Sequence, residues 1–123
     1  MELTIPTTKE DKYLVVLTFL SAIKPFSELR RGELKVYAEL LRLWHEYEGI
    51  DDTKRNKLIF DSDTKKEVAA KFEVTVENFY NILSSIKKKG LINESGLIPK
   101  YANFIDLKNN YLKINLRRVP TQV

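Results

Sequence analysis

The chain has 123 residues, 43% hydrophobic and 31% charged, a balance that fits one globular domain and excludes a disordered chain. It contains no cysteine, which excludes disulfides and thiolate metal sites. The net charge of +4 is unevenly spread: residues 1–53 carry 7 basic and 10 acidic side chains, residues 54–84 carry 6 and 5, and residues 85–123 carry 8 and 2. A one-sided basic surface is the footprint of a phosphate-binding face, although a solvated basic tail has the same composition.

The pattern predicts a first helix over "TTKEDKYLVVLTFLSAIKPF". Thr7 and Glu10 match a capping box. Tyr13, Val16, Leu17, Leu20 and Ile23 recur at helical spacing, and Pro25 ends the run. Its apolar core, "YLVVLTFLSAI", is too short to span a bilayer. It follows "KEDK" rather than a basic stretch, so neither a membrane span nor a signal peptide is expected. A second helix is predicted from residue 27, strongest over Glu33–Glu48, with Leu34, Tyr37, Ala38, Leu41 and Trp44 as its buried stripe. Leu40, Leu43 and Tyr47 widen that stripe, which suits packing on two sides or a dimer seam. Gly49 is placed to stop the helix.

"IDDTKRNK" reads as a polar loop and Leu58–Phe60 as a short strand. Asp61, Ser62 or Asp63 then caps a third helix over residues 64–72. "EVT" is a turn, Thr75 caps a fourth helix over residues 76–89, and Gly90 ends it. Beyond Gly90 the period changes. "LIN", "ESG" and "LIPKY" read as a hairpin. After a turn at Asn109 and Asn110, "YLKINLRR" alternates, with Leu112, Ile114 and Leu116 on one face and Lys113, Asn115 and Arg117 on the other. Residues 119–123 read as a loose end.

From Glu33 onward this order resembles a winged helix-turn-helix. Ala69 stands where two helices cross, Val74 in the turn, and Phe79, Ile82, Leu83 and Ile86 on the inner side of the second helix. "KKKGLI" resembles a recognition helix running into the first wing strand. The expected fold is therefore α+β and mainly helical, a single domain over residues 1–123. Within it lie an N-terminal helix (1–26), a winged helix core (27–118) with a β-hairpin, and a tail. The chain departs from the family at the turn, where Glu73 stands in place of glycine and needs left-handed geometry at a cost of about 1 kcal/mol. It departs again at Glu77, which repels a phosphate.

The resemblance implies a recognition helix in the major groove of double-stranded DNA. Its outward residues are then Glu77, Asn78, Tyr80, Asn81, Ser84, Ser85 and Lys88. Asn78 and Asn81 suit adenine edges, while Thr75, Ser84, Lys87, Lys88 and Lys89 suit phosphates. Lys100, Lys113, Arg117 and Arg118 extend the basic surface. Lysines at a helix C-terminus also complement the helix dipole.

No enzyme is expected. The single histidine, His45, lies on an amphipathic helix, and there is no Gly-rich phosphate loop. Asp51, Asp52, Asp61 and Asp63 read as loop and cap carboxylates rather than metal ligands, and no cofactor is expected. Residues 29–101 also resemble small uncharacterised proteins of tailed bacteriophages. That likeness implies a phage setting and a winged helix but no activity, and it suggests two roles, the first a transcription or replication factor acting on DNA in the host cytoplasm. The alternative is a virion or assembly component using the same fold for protein contacts, with the N-terminal helices meeting a partner or forming a homodimer.

Overall fold

The computed structural model describes residues 2–6, 12–103 and 111–115. Among them the architecture is mainly helical α+β, with six helices and two small antiparallel strand pairs. The Thr7–Glu10 capping box and residues Arg117, Arg118 and 119–123 lie outside the described residues.

Strand β1 spans Glu2–Pro6 and pairs antiparallel with β4, Tyr111–Asn115, in the register Thr4 opposite Lys113. The predicted C-terminal strand thus finds its partner at the start of the chain, a strand with no local signal in the sequence. Helix α1 runs from Lys12 to Leu20, ending earlier than Pro25 predicts. The Lys24–Pro25 peptide is cis, and a single 3-10 turn follows at Phe26–Glu28.

Helix α2, Arg31–Glu46, is the centre of the molecule. Val36, Tyr37, Leu40, Leu41 and Trp44 are each at most 2% exposed, so the helix is buried nearly all round. Helices α1, α3 (Asp52–Ile59) and α5 (Val76–Lys88) all pack on it. The broad stripe is matched by packing on several sides within the chain.

The loop predicted over residues 50–57 and the strand predicted at Leu58–Phe60 are both corrected: this stretch is α3, with Phe60 as its C-cap. Asp51 caps it, its carboxylate accepting from the Lys54 amide at 3.1 Å. The apolar pattern concealed the helix because two of its three buried side chains, Arg55 and Asn56, are polar. Asp61 caps α4, Ser62–Lys71, by accepting from the amides of Asp63 and Thr64. Thr75 caps α5 by accepting from the Asn78 amide at 3.1 Å.

The turn between α4 and α5 closes as sequence reasoning expects. Glu73 has φ +55°. Its amide donates to Ala70 O, and the Val74 amide donates to Ala69 O at 3.0 Å. This is the double closure of a left-handed helix C-cap, a position that favours glycine. Ala69 is 2% exposed, and Phe79 and Ile86 are fully buried. Gly90, at φ +90°, ends α5. The chain then forms a hairpin of β2 (Ile92–Asn93) and β3 (Gly96–Leu97), followed by the short α6, Pro99–Ala102.

Replacing Glu73 by Gly removes the left-handed strain, partly offset by the freer unfolded chain. It is expected to stabilise the protein by about 0.5–1 kcal/mol, read as a higher thermal midpoint, whereas Glu73→Val is expected to lower it.

Candidate nucleic-acid interface

The proposed contact face is built on α5, and its orientation is set from behind. Glu33, 6% exposed on α2, accepts from the Arg30 amide at 2.8 Å. It also takes the ammonium of Lys89 from α5, and the Ser85 hydroxyl helps to lower its pKa. Burial alone raises this carboxyl, but the amide, the lysine and the serine together hold it below the usual carboxylate range. One turn and a half along α2, Glu39 is met by Arg42 at 2.5 Å and by Lys71 at the end of α4. Burial opposes its ionisation too, and the two cations again win, so its pKa is lowered.

These pairings sort the predicted site residues. Ser85 and Lys89 are half-buried on the side of α5 that faces α2, where Lys89 pairs with Glu33. The Thr75 hydroxyl is engaged in the helix cap. Glu77, Asn78, Asn81, Ser84, Lys87 and Lys88 are exposed. By helical spacing Glu77, Asn81, Ser84 and Lys88 share one face. Asn78 lies on the flank beside Ser85, away from the centre of that face. Among the described residues no hydrogen bond or ion pair engages the side chains of Asn81, Ser84 or Lys88. Lys87 stands 3.9 Å from Glu94 at the hairpin tip, an exposed pair that adds little stability.

Lys100, on α6, is exposed, with its ammonium 5.2 Å from the centre of its neighbour Tyr101's ring. Lys113 lies within β4, and Arg117 and Arg118 are outside the described residues, so the basic extension at the C-terminal end stays an expectation. Sequence reasoning passed over Lys65. Its ammonium lies 5.0 Å from the centre of the Tyr80 ring, joining α4 to the outer face of α5. The spacing of α4 alone did not reveal this, because the partner ring belongs to another helix.

The hairpin beside this face is fixed by Asn56 of α3. The Asn56 amide group donates to Leu97 O at 3.2 Å, and its oxygen accepts from the Leu97 amide at 2.9 Å, so the side chain acts as a third strand's backbone. Gly96, at φ +119°, leaves room for it: a Cβ there would stand 2.5 Å from the Asn56 side chain. Behind Asn56, Arg55 donates to Trp44 O at 2.7 Å and lies 4.0 Å over the indole ring. Trp44 in turn donates to Asn103 at 2.8 Å.

His45 does not contribute to this face. Its Nε2–H donates to Ala102 O at 2.8 Å, and the ring stacks on Tyr13. Burial lowers its pKa, assisted by Arg55 and Lys12 and opposed by the Ala102 carbonyl and Glu48. A cleft of about 270 Å³ opens elsewhere, between α1, α2 and α4, among Tyr13, Lys35, Arg42, Lys71 and Phe72. Its one acid, Glu39, is already matched by two cations. Among the described residues no group of three or more His, Asp or Glu side chains is placed to hold a metal, and no helix is long and apolar enough to cross a membrane. Comparison with known protein families, curated proteins and solved structures finds no match.

Asn56→Ala is expected to cost about 1–3 kcal/mol, since it leaves two buried groups of Leu97 unpaired, and to strip the Leu97 amide of its protection in hydrogen exchange. Stability is also expected to depend on pH in two steps. The unfolded histidine takes up its proton near 6.5 and the folded one only at lower pH, so stability present above 6.5 is lost as pH falls through the folded value. A second loss follows below 4.5, as the lowered Glu33 and Glu39 are protonated. His45→Gln keeps a donor for Ala102 O and is expected to remove the first step alone, as followed by thermal unfolding across pH.

Proposed function

We propose that this chain is a non-enzymatic, double-stranded DNA-binding protein, a winged helix-turn-helix with α5 as the recognition helix and the β2–β3 hairpin as the wing. The observation that carries this reading is the outer face of α5. It presents Glu77, Asn81, Ser84 and Lys88 together, exposed and uncommitted, while the inner residues of the same helix are bound to α2. The α4–turn–α5 closure around Glu73 and the hairpin that follows directly from Gly90 support it further.

The resemblance of residues 29–101 to small tailed-phage proteins suggests a phage setting and leaves two roles open, a transcription or replication factor and a particle component. A particle component would instead be expected to leave α2 with a free apolar stripe, and that stripe is consumed by the chain's own core.

The test is fluorescence anisotropy with labelled duplex of mixed sequence over a salt series. Binding is expected to weaken linearly in log–log form as salt rises. Changing Lys87 and Lys88 to Gln is expected to reduce that slope by about one unit for each phosphate no longer neutralised. Lys89→Gln is expected to do the converse: it leaves the slope unchanged and lowers stability by about 1–3 kcal/mol, because Glu33 is deprived of its cation. Absence of duplex binding at low salt would overturn the reading and direct the search to a protein partner.

A further inference from the structure

On the flank of the outer face of α5 opposite Asn78 stand two apolar side chains that phosphate binding does not require. Val76 is 40% exposed and Tyr80 is 46% exposed. They stand at i and i+4, so they are neighbours on the helix surface, and they occupy its first two turns. Lys65 lies against the Tyr80 ring from α4, and helical spacing makes Glu77 and Ser84 the neighbours of Tyr80 on the helix surface. A large ring fixed in the open by a cation, next to a branched aliphatic side chain, is a built apolar contact on an otherwise polar face.

In the major groove the apolar feature available to such a contact is the C5-methyl of thymine. The same groove edge of an A·T pair offers the adenine N7 acceptor and N6 amino group, which an Asn side chain matches with its own donor and acceptor. Glu77 repels a phosphate but accepts from an exocyclic amino group. The positive charge of Lys65, Lys87 and Lys88 complements the strands on either side.

We propose that this face selects A·T base pairs by their thymine methyl groups, with Val76 and Tyr80 receiving the methyls and Asn81 reading the adenine edge. The proposal rests on the DNA-binding reading above. It assigns to Tyr80 a specificity role that the flank position of Asn78 leaves open.

The test compares three labelled duplexes of equal length by anisotropy with the full chain: an A·T-rich duplex, the same duplex with deoxyuridine for every thymidine, and a G·C-rich duplex. Charge and pairing are unchanged between the first two. Removing the methyls is expected to weaken binding about fourfold for each methyl buried, and the G·C-rich duplex is expected to bind more weakly than the A·T-rich one. The doubly substituted Val76→Ser, Tyr80→Ser chain is expected to bind the thymidine and deoxyuridine duplexes equally. Both positions are exposed, so the variant is expected to fold, which circular dichroism checks. Tyr80→Phe is expected to keep the discrimination. Equal binding of the thymidine and deoxyuridine duplexes by the unaltered chain, with salt dependence intact, would overturn the methyl contact and leave the DNA reading standing. Failure to bind any duplex would overturn both.

Discussion

Two glutamates buried on α2 determine how the candidate interface is presented. A carboxylate taken out of water must be matched or it loses its charge. Glu33 and Glu39 are matched largely from outside their own helix, by Lys89 and Ser85 of α5 and by Lys71 of α4. Each cation comes from the C-terminal end of its helix, where positive charge is also favoured by the helix dipole. The two pairs therefore clamp the far ends of α4 and α5 to the central helix. The roll of α5 follows. With Ser85 and Lys89 turned to Glu33 and with Phe79 and Ile86 in the core, Glu77, Asn81, Ser84 and Lys88 face outward. Without the Glu33 pairing, the apolar residues alone would leave that roll looser, because Ile82 and Leu83 are half-buried on both sides of the stripe.

The same logic divides the lysine run. Three consecutive lysines look equivalent in a sequence, but successive side chains on a helix point about 100° apart. Lys89 points back to Glu33, Lys88 points outward, and Lys87 leans toward Glu94 of the hairpin. One basic cluster thus performs three tasks: anchoring the helix, offering a free charge and touching the hairpin. A charge count along the chain adds them together and so overstates the basic surface.

What the sequence made legible was what neighbouring residues decide. Caps at Asp61 and Thr75, the stop at Gly90 and the apolar spacing of α2, α4 and α5 depend on residues a few positions apart, and they stand where the sequence predicts. The main misses involve partners that apolar periodicity does not register. Helix α3 buries Arg55 and Asn56 because Trp44 and Leu97 satisfy them, so a reading based on apolar periodicity finds only a polar loop. Strand β1 exists because β4 pairs with it from more than a hundred residues away. Lys89 meets Glu33 across 56 residues and Lys65 meets Tyr80 across two helices, so neither role has a local signature.

Helix α3 also explains how a hairpin with two residues in each strand holds its place. Such a ribbon is marginal by itself, since few backbone bonds and little apolar area oppose its entropy. Asn56 adds two hydrogen bonds to Leu97 from the open edge, and the Gly96 backbone passes too close to Asn56 for any side chain. Asn56 is itself on the helix that Arg55 anchors to the Trp44 carbonyl and indole. Trp44 sits on α2, the same helix that carries Glu33 and Glu39. The hairpin and the outer face of α5 are therefore referred to one rigid element by independent routes, one through amide and guanidinium hydrogen bonds and one through buried ion pairs. That shared reference is what allows a very short hairpin to keep a fixed position beside α5.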